Sequence, residues 1–121
     1  TLPEVEAAVA QLTHSSPQII SLQPNTLQDV WGDIERVSHT FGVDSVQILD
    51  NLEARVKICR HRLRGLSTAE MPKVACIEWT DPLMTAANWV PELINLAGGQ
   101  SLFCLMGKPA VHVKWETLVA S

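Results

Sequence analysis

Glu78-Trp79-Thr80-Asp81 sets two carboxylates, a hydroxyl and an indole side by side in the chain. Glu78 and Asp81 are close enough to work as a paired acid and base. They serve equally well as hydrogen-bond acceptors for a bound molecule. The indole of Trp79 offers a flat apolar face for packing. Nothing beside them supplies a nucleophile or an oxyanion hole. The chain has no glycine-rich phosphate loop, no G-x-S-x-G elbow and no H-E-x-x-H pair. No residue is therefore assigned a catalytic role.

The other chemically versatile residues are scattered. Cys59, Cys76 and Cys104 form no C-x-x-C pair. An odd set of this kind reads as free thiols and favours a reducing compartment, while a bridge between two of them stays open. Cys59 and His61 are two apart on a helical stretch and point in different directions. His14, His39, His61 and His112 lie far apart and read as surface or satisfied residues, so no metal site is assigned. Tyrosine is absent and tryptophan occurs four times, at positions 31, 79, 89 and 115. Partial burial is the ordinary fate of tryptophan. Trp79 is the exception to look for, because it follows a short strand.

These residues need elements to hold them. Val74-Ala-Cys-Ile77 is an apolar run too short for a free-standing helix, and it fits an inner strand of a parallel sheet. In open α/β sheets the ligand crevice lies outside the carboxyl ends of the strands, which is where residues 78–82 fall. A helix is expected from Trp89 to Ala97, with Asn88 as N-cap, Pro91 in the first turn and Gly98-Gly99 as the stop.

Upstream, Val5, Val9 and Leu12 recur at helical spacing, with Glu4 and Glu6 in the first turn where the dipole favours acids. Ser15-Ser16-Pro17 breaks that helix. Gln18 to Leu22 has the length of a strand. Thr26 then caps a second helix, Asp29 completes an imperfect capping box, and Gly42 ends it. Leu27, Val30, Ile34, Val37 and Phe41 make its apolar face. Asp44 opens a third, long helix reaching to Arg64, with an apolar stripe at Ile48, Leu52, Val56, Cys59 and Leu63. Its acids come early and its arginines late, which complements the helix dipole and reads as a solvated face rather than a phosphate patch. Ser67 to Pro72 is a linker. Ser101 to Met106 is a second strand-length run, Ala110 to Val113 alternates as an extended segment, and Lys114 begins a last helix. Helices alternating with short strands place the chain in the α/β class.

Composition narrows the rest. The chain has 121 residues, of which 46% are hydrophobic, enough for a core. The net charge of −4 argues against a general nucleic-acid binder. No run approaches the roughly eighteen apolar residues of a membrane span. Thr1-Leu-Pro-Glu-Val-Glu6 shows neither the basic nor the apolar region of a signal peptide. The compartment stays open: periplasmic or lipid-anchored with a leader upstream, cytoplasmic without one.

Residues 76–99, Cys-Ile-Glu-Trp-Thr-Asp-Pro-Leu-Met-Thr-Ala-Ala-Asn-Trp-Val-Pro-Glu-Leu-Ile-Asn-Leu-Ala-Gly-Gly, closely resemble the cobalamin and iron–siderophore substrate-binding proteins of ABC importers. Gln18 to Leu27 and Val113 to Leu118 are similar to further parts of that family. The resemblance implies two helix–sheet layered lobes joined by one long connecting helix, with ligand held between them. Residues 1–42 would end the first lobe, 43–66 form the connector and 67–121 begin the second lobe. Family members continue beyond both ends of the matched region. The resemblance places ligand contacts at Glu78, Trp79, Thr80, Asp81, Asn88 and Trp89. It implies a cobalamin or ferric-siderophore ligand and no intrinsic cofactor. It also implies a contact of Glu116 with the importer's membrane subunits. The competing expectations are a metal-handling tetrapyrrole enzyme on a related fold, using Glu78, Asp81 and His112, or an interaction module that has lost the pocket.

Overall fold

In the computed structural model the chain is described throughout except at Thr13, Ser15 and Ser16. The helix break expected at Ser15-Ser16 lies outside the described residues. Helix α1 covers Leu2–Val9, α2 Leu27–Thr40 and α3 Val46–Arg62. A single 3-10 turn at Thr68–Glu70 leads into strand β1, Lys73–Val74. Strands β2, Ile77–Thr80, and β3, Leu83–Thr85, form a hairpin. Helix α4, Val90–Leu96, strand β4, Gln100–Ser101, and helix α5, Trp115–Val119, complete the chain. The protein is α/β, as expected. Among the described residues no helix is long and apolar enough to cross a membrane.

The caps of α2 form as the sequence predicts. Thr26 Oγ1 accepts from Asp29 N, and the Asp29 carboxylate accepts from Asn25 N at 3.0 Å and Thr26 N at 2.8 Å. Gly42 follows the helix at φ +65°, the left-handed turn that a C′ glycine allows. Helix α3 is shorter than its periodicity predicts. It starts after Asp44, whose Oδ1 accepts from Val46 N, and ends at Arg62. Its expected stripe is only half realised: Leu52, Val56 and Leu63 are half-buried, while Ile48 and Cys59 are exposed.

The strands depart further. Val74 to Ile77 is not one inner strand. Backbone pairing changes partner at Ala75-Cys76, so β1 runs parallel to β4 whereas β2 runs antiparallel to β3. Gln18 to Leu22 forms no strand: among the described residues its backbone has no ladder partner. Of the run from Ser101 to Met106, only Ser101 is in a strand. Ala110 to Val113 is extended, as expected, and docks on β3. Thr85 N donates to Val111 O at 3.0 Å and Val113 N to Leu83 O at 3.1 Å.

Apolar burial is concentrated in the second half of the chain. Leu83, Ala86, Ile94 and Cys104 form the buried core, joined by Thr85 and Pro91. The only buried residue that α1, α2 and α3 contribute is Asp33, whose carboxylate pairs with Arg36 on the next turn. All three cysteines are free. Two contacts tie α2 and α3 to the core side. Glu92 Oε2, in the first turn of α4, accepts from Leu27 N at 2.6 Å, supplying an acceptor to the open N-terminus of α2. Helix α3 packs on α4, and its end presses Leu63 against the buried Gly98-Gly99 stop.

That stop is sterically demanding. A Cβ on Gly99 would stand 2.8 Å from Val74 Cγ2 and 3.0 Å from Ile94 Cγ2. Both neighbours are β-branched and stiff, one on β1 and one on α4. We expect Gly99→Ala to destabilise the protein by about 1–3 kcal/mol, read from the urea midpoint; an unchanged midpoint would show that β1 and α4 yield freely.

Acid should loosen the caps. Backbone donation by Asn25 and Thr26 holds the Asp29 carboxyl below its ordinary value of 3.8. The Ser67 hydroxyl and N–H do the same for Glu70. A carboxyl with a depressed folded-state pKa contributes stability above its unfolded pKa and loses it as pH falls through the lower folded value. We expect the unfolding midpoint to drop on acidification below about pH 4, less steeply in Asp29→Asn; equal slopes in the two proteins would remove Asp29 from the account.

Candidate functional site

The hairpin carries the sequence-predicted residues, but not as a loop beyond a parallel strand. Glu78, Trp79 and Thr80 lie on β2 itself, and only Asp81 sits in the turn, which contains a cis Asp81–Pro82 peptide bond. The chain reverses here instead of running on to a crossover helix, since Thr80 and Leu83 pair directly around the two-residue turn.

Register decides what faces outward. Ile77 pairs with Thr85, yet Trp79 pairs with Met84 and Thr80 with Leu83, so Glu78 is the extra residue of a β-bulge. Without the bulge Glu78 would stand opposite Met84. With it, the indole takes that place, which is the re-aiming that bulges perform. Met84 in turn bridges His112 across the other edge of β3. The flanking bonds, Thr85 N to Val111 O and Val113 N to Leu83 O, make Met84–His112 a non-hydrogen-bonded pair, the kind with the closer side chains. Directly opposite residues share a face. Trp79, Met84 and His112 therefore form one row across three strands. Leu83 and Thr85 point the other way into the core, Thr85 at 0% exposure.

Trp79 is 62% exposed. Its Nε1 donates to Asp81 O at 2.7 Å, which fixes the indole against its own turn while leaving ring surface open to solvent. Glu78 and Asp81 are exposed beside it, whereas Thr80, paired with Leu83, is exposed on the opposite face of the hairpin and does not join the indole surface as expected. His112 is exposed beside a hollow of about 520 Å³ lined by Phe103, Lys114 and Thr117. An indole held in place with carboxylates near its rim can stack on an apolar plane and accept hydrogen bonds from that plane's edge.

Asn88 and Trp89 do not join this surface as expected. Asn88 is not the N-cap of α4: its φ is +57° and its backbone is engaged elsewhere, donating to Lys108 O at 3.0 Å and accepting from Gly107 N at 3.1 Å. Trp89 takes the N-cap position and is half-buried, lining a hollow of about 370 Å³ with Leu22, Val30, Ile34 and Val37. It packs toward α2 and does not line the Trp79 surface. Glu116 is exposed in the first turn of α5. Among the described residues no cluster of three or more His, Cys, Asp or Glu is placed to hold a metal ion. Met84 is the member of the row that sequence reasoning missed. Alternation marked residues 110–113 as extended, but nothing local discloses which strand they join.

No protein-family model and no curated protein sequence matches the chain. Its structure is similar to that of the periplasmic vitamin B12 binding protein BtuF of Vibrio cholerae, with a TM-score of 0.63 and 21% identity over 98% of this chain. The likeness is one of fold. The chain spans 46% of that protein's length.

The two tryptophans should separate in stability. We expect Trp79→Ala to cost under about 1.5 kcal/mol, since it gives up little more than one hydrogen bond, and Trp89→Ala about 3 kcal/mol through lost packing. Urea unfolding of both variants checks this, and equal losses would refute the division between exposed and packing roles.

Proposed function

We propose that this chain belongs to a solute-binding protein that holds a corrinoid-type ligand against the β2–β3 hairpin for delivery to an ABC importer. The observation that carries the reading is the exposed, hydrogen-bonded indole of Trp79. Contiguous apolar surface rimmed by polar groups is a common form of binding site, and here the indole has Met84 beside it and carboxylates at its margin. Similarity in fold to a vitamin B12 binding protein supports the same ligand class. Of the two ligand classes that the sequence suggests, a corrinoid suits the surface better. Its planar ring stacks on an indole, and its rim amides donate to carboxylates such as Glu78 and Asp81. An anionic ferric chelate would meet those carboxylates, and a net charge of −4, with repulsion. In this reading Glu116 is the carboxylate that meets the importer's membrane subunits.

Titrating cyanocobalamin against tryptophan fluorescence tests the proposal. We expect saturable quenching in the parent and at least a tenfold weaker response in Trp79→Ala, about 1.4 kcal/mol of binding. Unchanged affinity in that variant would sink the assignment, and preferential binding of a ferric hydroxamate chelate would move the ligand to the siderophore class.

A further inference from the structure

We propose that the hollow enclosed by α2, α3 and α4 is a second binding site, and that its occupant is an organic anion with an extended apolar body. The site is separate from the corrinoid surface, since no residue of the β2–β3 hairpin lines it. Its volume is about 480 Å³, inside the range of about 300–1,000 Å³ found for small-molecule sites. The floor is apolar: Leu27 and Trp31 come from α2, Val56 from α3 and Leu96 from α4. All four are half-buried. They also line an adjoining hollow of about 250 Å³, so the apolar floor continues from one space into the other. The walls are set before any ligand arrives, because Glu92 ties α4 to the first turn of α2 and α3 packs on α4.

The polar wall specifies the headgroup. Glu53, Val56, Lys57 and Arg60 follow the i, i+3, i+4, i+7 spacing and share one face of α3. Both acids of the hollow already have partners. Glu53 pairs with Lys57 at 4.0 Å, and Glu92 accepts from Leu27 N at 2.6 Å. The remaining donors do not. Gln28, Asn95 and Arg60 line the same hollow, and no side-chain hydrogen bond or ion pair among the described residues engages the two amides or the guanidinium. Arg55, on the adjoining hollow, adds a second cation. The arginine fork matches a carboxylate or a similar oxyanion. Inorganic phosphate would leave the apolar floor uncovered, and a neutral hydrocarbon would leave the guanidinium unmatched. An anion on an apolar body meets both.

Anilinonaphthalene sulfonate is the probe, because its emission rises in apolar surroundings. N-phenylnaphthylamine has the same rings without the sulfonate. We expect the sulfonate to fill one saturable site in the parent protein. Arg60→Gln should weaken it about tenfold, the loss of one charge-assisted contact. Arg62→Gln, also on α3 but outside the hollow, should leave it unchanged. The naphthylamine should bind the parent and both variants alike, and Trp79→Ala should bind the sulfonate as the parent does. Both arginines are exposed, and far-ultraviolet circular dichroism checks that each variant keeps its helices. Binding that does not saturate, or equal weakening in Arg60→Gln and Arg62→Gln, would overturn the proposal, as would a naphthylamine that weakens as much as the sulfonate in Arg60→Gln. Displacement of the sulfonate by cyanocobalamin, or its loss in Trp79→Ala, would also overturn it and assign the dye to the hairpin surface.

Discussion

The outward surface of this protein depends on β3 being bonded along both edges. Three residues, Leu83 to Thr85, pair with β2 on one side and with residues 111–113 on the other. Because strand side chains alternate, burying Leu83 and Thr85 forces Met84 outward. Pairing then forces its partners outward as well. A slip of one residue would exchange the two faces entirely, turning the indole and imidazole into the core and Leu83 into water. The bulge at Glu78 is the counterpart of this constraint. It adds one residue to β2 so that Trp79, rather than a carboxylate, completes the row.

The helical first half is held differently. α1 and α3 bury no side chain fully, and α2 buries only Asp33. Their order comes from caps and from a few long-range attachments. The Glu92 carboxylate on Leu27 N is the one side-chain hydrogen bond from α4 to α2 among the described residues. Trp89 adds apolar packing on the same side. At the other end Gly98-Gly99 permits α3, α4 and β1 to converge more closely than any side chain would allow. Phe41, Val43 and Val46, around the α2–α3 corner, stay largely in water. The hydrophobic term, which dominates folding, thus acts mainly through the segment from Leu83 to Cys104.

What the sequence discloses follows from how local each feature is. Thr26, Asp29 and Gly42 mark the ends of α2 because a cap involves residues three or four apart, and the structure repeats them. The glycine stop after α4 is legible for the same reason. Strand partners are not local. Val74 to Ile77 looks like one apolar strand, but its two ends serve different sheets. Gln18 to Leu22 has strand composition and, among the described residues, no ladder partner. Asn88 has the composition of an N-cap, yet bonds to Lys108 and Gly107 hold it in a left-handed conformation, and those contacts lie some twenty residues away. For the candidate site, residue types at 78–81 were visible at once. The bulge that selects Trp79 over Glu78, and the pairing that adds Met84 and His112, required the register.

The location of the row on strands has a consequence for recognition. A loop that orders only on binding loses conformational freedom at that moment, at a cost of about 0.5–1.5 kcal/mol for each immobilised side chain. Here the backbone under Trp79, Met84 and His112 is already laddered, and the indole is already pinned by Asp81 O. Only the Met84 and His112 side chains retain rotational freedom to lose. A flat, rigid ligand would therefore meet a surface ordered before contact. The carboxylates of Glu78 and Asp81 stay in water, where they can exchange a hydration shell for rim donors at little cost. In the proposed reading, shape on the row and polarity at its margin would divide the work: the ladder would set where a plane can lie, and the acids what its edge must carry.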